Sequence, residues 1–483
     1  MKTRHDTDLL EQELERLEPL ARKLETPAAD RNRRLEAVHA YASDYLDAQG
    51  AAPAYTRSPD LSAGLLDTPI SETGAGLDAA LDVLDRYVDH EGLNTTSGRF
   101  TGYVPGGGVY ESALGDYLAA VTNRYAGVFF ASPGAVRMEN QLVRWMAGLV
   151  GFPAEAGGYL SAGGSLANLT AVVTARDVHG IEAGAVPRAV VYLSDHAHHC
   201  VDKALRVAGL GRAVLRRVPV DEAWRMDAGA LASAIEDDLD DGLMPWLVVA
   251  SAGTTNTGSV DPLADIADVA DRHGLWFHVD AAYGGFFLLT ETGKNRLRGI
   301  ERAHSVVMDP HKTLFLPYGS GALIVRDGAL IRQSHLSDAS YMQDARAADG
   351  EWSPAHMSPE LTKHFRGLRM WLPLQVHGVA PFRDALDEKL VLARWAWERL
   401  RASDRFEVGP KPDLTVVTFR LRGSDEANRR LLEAVHQDGR VFFSSTVIDG
   451  RFTLRLAIVS FRSHLDDIRL TLDVLEELAA SHD

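Results

Sequence analysis

Cysteine is almost missing: Cys200 is the only one in 483 residues, which excludes an intrachain disulfide framework and fits a reducing compartment. No apolar run approaches the ~18 residues that span a bilayer. The opening Met1-Lys-Thr-Arg-His-Asp-Thr-Asp8 lacks the apolar stretch of a signal peptide. Positive charge is scarce as well. With 50 Lys and Arg against 67 Asp and Glu, the formal net charge is −17, which argues against nucleic-acid and anionic-membrane partners. Basic clusters such as Arg31-Asn-Arg-Arg34 are short and read as solvated helix faces. The protein is expected to be cytoplasmic.

Several motifs are absent too. No Gly-x-Gly-x-x-Gly follows a strand, and neither Gly-x-x-x-x-Gly-Lys-Ser/Thr nor Gly-x-Ser-x-Gly occurs, so a dinucleotide fold, a P-loop and an α/β-hydrolase lose support. His196, His198, His199 and Cys200 form a rival metal-ligand group, but the paired spacing of known zinc sites is missing. No metal site is expected.

What is present suits a large soluble protein, with 46% hydrophobic and 24% charged residues in a chain long enough for two or three structural units. Leu9, Leu10, Leu14, Leu17, Leu20 and Leu24 recur at helical spacing, predicting helix over 9–50. That stretch packs either on a second subunit or, as a helical hairpin, on its own domain. Another helix is expected at 76–90. Strands are expected at 188–193, 213–218, 246–251, 275–280, 305–308 and 321–326, alternating with helices such as 227–237 and 263–273. This is an α/β pattern: a mostly parallel sheet flanked by helices, with ligands at the carboxyl ends of its strands. A polar loop at 335–360 has the length usually reserved for function. A long helix then runs from Leu361 towards Arg401, interrupted by Pro373. Strands at 414–421, 440–447 and 452–458 with helices at 424–437 and 464–480 read as a small α+β domain. The expected division is a helical N-terminal segment at 1–95, a large domain at 96–375 and a small domain at 376–483.

The chemistry gathers at strand ends. Lys312 follows Asp309-Pro-His311 after the apolar run Ser305–Met308, where desolvation disfavours the ammonium form and frees a nucleophilic amine. Asp280 ends Leu275-Trp-Phe-His-Val-Asp280. A lysine and an acid so placed meet two needs of pyridoxal phosphate: an amine for a Schiff base and a carboxylate for the pyridine nitrogen. Leu160-Ser-Ala-Gly-Gly-Ser-Leu-Ala-Asn168 runs from glycines into a helical pattern, so free N–H groups and the helix dipole would face a phosphate. Ser251-Ala-Gly-Thr-Thr-Asn-Thr257 adds hydroxyls, and Ser194-Asp-His-Ala-His-His-Cys200 offers a histidine to stack on the ring. Taken singly, each has a plainer reading as a solvated lysine, a helix-capping acid or a polar turn.

Together these stretches resemble the fold-type I, pyridoxal-phosphate-dependent group II amino-acid decarboxylases. The aromatic-L-amino-acid branch and its glutamate and diaminobutyrate relatives are nearest in feel. The resemblance rests on Ala131-Ser-Pro133, Gly163-Gly-Ser165, Ser194-Asp-His-Ala-His198, Gly253-Thr-Thr255, His278-Val-Asp-Ala-Ala-Tyr283, Pro310-His-Lys312 and Phe365-Arg-Gly-Leu-Arg-Met-Trp371, in the family's order. It implies that Lys312 forms the Schiff base, with His311 beside it, and that Asp280 pairs with the pyridine nitrogen. His198 and Ala282 would cover the two ring faces, while Gly164, Ser165 and Thr255 hold the cofactor. Tyr341, on a loop contributed across a homodimer with a shared active site, would protonate the substrate carbon. Tyr103, Val104, Gly106 and Tyr125 would form the pocket for a small-molecule amino-acid substrate, with Val104 and Gly127 standing where aromatic-specific relatives carry rings. Asp309 replaces the family's usual asparagine and would put an acid near the phosphate. The implied reaction is decarboxylation of an L-amino acid to its amine. Decarboxylation with oxidative deamination to an aldehyde, transamination, elimination and a cofactor-free scaffold are the alternatives.

Overall fold

The computed structural model describes residues 2–57, 60–336 and 351–480. Contacts within the chain divide it into two units, Met1–Ala52 with Thr56–Gly92, and Pro53–Tyr55 with Leu93–Asp483.

The first unit is helical: α1 (Lys2–Ala21), α2 (Ala28–Ala48) and α3 (Leu77–Tyr87). The stretch expected to be helical over 9–50 forms two helices. α1 gives way to a 3₁₀ turn at Arg22–Leu24 and a non-helical Glu25, and α2 starts after Pro27, which is extended at ψ 157°. No residue of α2 or α3 is buried. Leu9, Leu10, Leu14 and Leu20 on α1 are all at least half exposed.

The second unit is built on a seven-stranded sheet. Its strands are β1 (Gly157–Ser161), β2 (Ala189–Ser194), β3 (Val214–Val218), β4 (Met244–Ser251), β5 (Trp276–Asp280), β6 (Ser305–Met308) and β7 (Gly321–Val325). They lie in the order β1-β7-β6-β5-β4-β2-β3, with β7 antiparallel to both neighbours and the other pairs parallel. Every residue of β2 is buried. Val190 and Tyr192 join the core on one sheet face, and Ala189, Val191 and Leu193 the core on the other, so the two-residue period sorts side chains between two apolar layers. The helix α4 (Tyr110–Thr122) precedes the sheet in the chain. α5 (Pro133–Val150), α8 (Ala228–Asp240) and α9 (Leu263–His273) cover the first face through Leu142, Leu231 and Ile266. α6 (Gly164–Val178) and α7 (Cys200–Val207) cover the second through Ala167, Ala171 and Val201. β1 is a strand that the sequence pattern does not predict, because Gly-Gly-Tyr-Leu-Ser carries little apolar or β-branched signal.

The long helix expected from Leu361 is corrected in one respect. Pro373 lies inside the helix Arg366–His377, and the chain breaks instead at Gly378, whose φ of +69° no helix accepts, before the helix Ala380–Arg401 starts. Beyond it, a four-stranded antiparallel sheet carries the C-terminal core. Its strands are β8 (Phe406–Val408), β9 (Val416–Leu421), β10 (Ser444–Ile448) and β11 (Arg451–Ala457), in the order β8-β9-β11-β10. Among the described residues no helix is long and apolar enough to cross a membrane.

Candidate active site

The carboxyl ends of five strands of the large sheet open on one cavity of about 350 Å³, the size of a cofactor pocket. β1 leads to Gly163 and Gly164, β2 to His198 and Cys200, β4 to Thr254 and Thr255, β5 to Asp280 and Ala282, and β6 to Asp309, His311 and Lys312.

Lys312 is delivered by a short, well-anchored turn. β6 ends at Met308, and Asp309 stays extended. Pro310 then opens the helical turn Pro310–Thr313, whose first position suits proline's fixed φ. Asp309 N donates to Ala282 O at 3.1 Å and Thr313 Oγ1 to Tyr283 O at 2.8 Å, which ties the turn to the segment after β5. Lys312 Nζ lies 3.1 Å from Asp309 Oδ2. Burial works to lower the pKa of this ammonium, but the carboxylates of Asp309 and Asp280 together outweigh it, and the pKa stands above the ordinary lysine value. The expectation that desolvation frees the amine is therefore corrected: the neighbouring acids hold its proton in place.

Asp280 is 9% exposed. Its Oδ1 accepts from Ala282 N at 3.1 Å and its Oδ2 from Asn168 Nδ2 at 3.4 Å. Asn168 is itself held. Nδ2 also donates to Gly164 O at 2.9 Å, and Oδ1 lies 2.8 Å from His278 Nε2. Because the asparagine nitrogen already faces a carbonyl and a carboxylate, its oxygen must accept, so the histidine proton is on Nε2. His278 Nδ1 then accepts from Ser305 Oγ at 2.7 Å, and that oxygen accepts from Trp276 Nε1 at 2.8 Å. Burial pushes the His278 pKa down to about 4, so the ring is neutral near pH 7. Asn168 thus spans the cavity floor from the first turn of α6 to Asp280. Asn168 and His278 both stand inside motifs legible in the sequence, yet no local pattern gives either a role.

The glycines of the cradle are required. Gly163 has φ +155°, and a β-carbon at Gly164 would stand 2.9 Å from Asp309 Oδ2 and 3.2 Å from the Ala282 methyl. Removing that carbon lets the N-terminus of α6 face the cavity with its first N–H groups. Ser165 and Thr255 line the same rim. The loop carrying Thr255 is braced from within by hydrogen bonds of 2.7 Å between Thr254 and Thr257 and 2.8 Å between Thr257 and Ser259. From the other sheet, Arg455 on β11 donates to Thr255 O at 2.7 Å, to Tyr103 O at 3.3 Å and to Ser444 Oγ at 3.0 Å. Arg455 is buried, and burial lowers its pKa to about 10. No local signal marks this arginine in the sequence.

His198 and Ala282 both line the cavity. His198 Nδ1 accepts from Cys200 N at 3.2 Å, and burial lowers the pKa of its ring. His311 is placed with its Nδ1 against the Ser320 carbonyl, and its pKa is also lowered by burial. The substrate-pocket candidates Tyr103, Val104, Gly106 and Tyr125 are not among the residues that line this cavity. Tyr103 is exposed with φ +53°, Val104 packs beside the main core, and Tyr125 reaches Leu361 O at 3.4 Å. Gly106 is near the turn that carries Lys312, since a β-carbon there would collide with the His311 carbonyl oxygen. Tyr341 lies outside the described residues. Among the described residues, no group of three or more His, Cys, Asp or Glu is arranged to hold a metal ion.

An amine, a carboxylate across the cavity, a glycine-started helix for a phosphate and two small or flat side chains for a ring fit pyridoxal phosphate. Asp309 is the exception: it is buried, and its Oδ1 has no hydrogen-bond partner among the described residues.

The chain is similar to known proteins over most of its length. Residues 68–422 match the family model described as "Pyridoxal-dependent decarboxylase conserved domain". The chain is 32% identical over 433 residues to an aromatic-L-amino-acid decarboxylase of Bacillus atrophaeus, covering 88% of this chain and 90% of that one. It is 28% identical over 471 residues to tryptophan decarboxylase 1 of Oryza sativa subsp. japonica, covering 90% and 91%. The crystal structure of Oryza sativa TDC with PLP and tryptamine superposes with a TM-score of 0.88 at 28% identity, over 94% of this chain and 98% of that one.

Proposed function

The chain belongs to the pyridoxal-dependent decarboxylase family, and from that premise we propose that it converts an L-amino acid to carbon dioxide and the corresponding amine. The observation that carries this reading is the shared cavity of Lys312, Asp280, His198 and the start of α6. Pyridoxal phosphate, when bound, supplies an electron sink for the bond that breaks at the substrate Cα.

The side chains do the rest. Lys312 would supply the amine that holds the cofactor by its aldehyde carbon. Asp280 holds a proton on the pyridine nitrogen, kept in orientation by Ala282 N and Asn168 Nδ2. His198 and Ala282 bracket the ring, and His311 stands beside Lys312. Gly164, Ser165 and Thr255 bind the phosphate with the first turn of α6. Tyr103, Val104, Gly106 and Tyr125 contact the substrate side chain, and Tyr341 delivers its phenolic proton to Cα. The exposed leucines of α1 support a homodimer, because apolar side chains at helical spacing are stable in water mainly under a partner surface.

The test is product analysis with the holoenzyme and a panel of L-amino acids. Carbon dioxide and amine in equal amounts, with no oxygen consumed, support the proposal. An aldehyde with stoichiometric peroxide and ammonia overturns it. Sedimentation of a fully active monomer would overturn the shared site.

A further inference from the structure

Asp309 is buried against the start of α6. Its two oxygens lie 2.9 and 3.3 Å from the position of a β-carbon at Gly164, Oδ2 is 3.1 Å from Lys312 Nζ, and Oδ1 has no partner among the described residues. A helix N-terminus favours negative charge, so in the cofactor-free protein Asp309 is itself the anion at the end of α6 and the ion-pair partner of Lys312. A phosphate seated on the same N-terminus meets a carboxylate already there. Bonding the Lys312 nitrogen to the cofactor also takes away the free ammonium that balanced it.

Among the described residues no arginine is hydrogen-bonded or ion-paired to Asp309: Arg455 is committed to Thr255 O, Tyr103 O and Ser444 Oγ, and Arg369 to Asp116 and Tyr318 O. His311 Nε2 is 3.7 Å from Asp309 Oδ2 on the same turn, but burial disfavours its cationic form. His198, reaching in from the segment before α7, is held towards neutral by burial as well. Asp280 from β5 is another acid, and burial raises the Cys200 thiol well above its usual range. The only base in the terminal turns of α6, Arg176, is at its far end.

We propose that this site takes the phosphate-bearing cofactor together with one proton, shared between Asp309 and a phosphate oxygen, so that loading is proton-coupled. The proton comes from water or from the departing Lys312 ammonium, and no bond other than O–H is made or broken by Asp309. This rests on the reading that pyridoxal phosphate binds in this cavity.

The experiment compares wild type with Asp309→Asn by titrating each cofactor-free protein with pyridoxal phosphate at several pH values between 6.5 and 8.5. Dissociation constants come from tryptophan fluorescence, and proton counts from calorimetry in two buffers of unlike ionisation enthalpy. The wild type is expected to retain about one more proton per site than D309N. The ratio of wild-type to D309N dissociation constants should therefore grow about tenfold per pH unit, the slope of a single linked proton. A ratio that does not change with pH, or one that follows cation concentration instead, overturns the proposal. If neither protein develops a Schiff-base absorbance band, it is the cofactor reading that fails. Should D309N not fold, Asp309→Ser replaces it in the same titration, with the same two outcomes.

Discussion

Replacing Lys363 with methionine tests how the cradle is held in place. β1 is an edge strand, paired only with β7, and its outward backbone groups at Leu160 are met by side chains. Leu160 N donates to Glu139 Oε1 at 2.9 Å, and Lys363 Nζ donates to Leu160 O at 3.0 Å and to Glu139 Oε1 at 2.6 Å. Both side chains of the ion pair are fully buried. At that separation and an effective dielectric of ~20, the gross attraction is roughly 6 kcal/mol, much of it offset by the several kcal/mol needed to desolvate each ion. The intact pair is thus worth little net, whereas breaking it is costly. K363M leaves a buried carboxylate unpaired and Leu160 O without a donor, for an expected loss of about 3–5 kcal/mol. Glu139→Leu with K363M removes both charges and strands only two backbone groups, at ~1–3 kcal/mol each. The double variant should therefore lose less than the sum of the two single losses, because each single variant strands a buried charge that the double variant does not contain. Urea unfolding of the four proteins of the cycle, followed by tryptophan fluorescence, measures the coupling. Single losses that simply add in the double variant would refute the reasoning.

Lys312→Ala should abolish the absorbance band of bound pyridoxal phosphate and lower carbon dioxide release by roughly 10³-fold or more, since no other amine lines the cavity among the described residues. Arg455→Met removes charge-assisted hydrogen bonds to Thr255 O and Tyr103 O. Cofactor affinity should fall about 10- to 100-fold, read by fluorescence titration; an unchanged affinity would remove Arg455 from the cradle. His278 has a folded pKa of about 4 against an ordinary histidine value of 6.5, so its stabilising contribution is full above pH 6.5 and is lost as pH falls through that window, by about 3 kcal/mol. Asp261, pushed up to about 6 by burial, works in the opposite direction as pH falls from 6 towards 3.8. His278→Gln should thus make the protein relatively more stable at pH 4.5 than at pH 7 when compared with wild type, as measured by urea midpoints at the two pH values; an identical pH dependence would refute it.

How much was legible in the sequence depends on how far apart the interacting residues stand along it. Lys312, Asp280, His198 and Gly164 could be placed because each follows the carboxyl end of an apolar or glycine-marked segment, and the parallel topology sends all such ends to one side of the sheet. β1 could not, since its strand state depends on pairing with β7 and on Glu139 and Lys363, which meet across 224 positions. Asn168 meets His278 across 110 and Arg455 meets Thr255 across 200. Side chains so remote leave no periodicity or spacing to read. Lys312 shows a second limit. Burial could be inferred from the apolar run before it, and burial alone argues for a free amine. The sign is reversed by Asp309 at 3.1 Å and by Asp280 on the next strand. The sequence marked Asp309 as a departure, and only the distance assigns it a consequence: Lys312 is held as one half of an ion pair with its neighbour on the same turn.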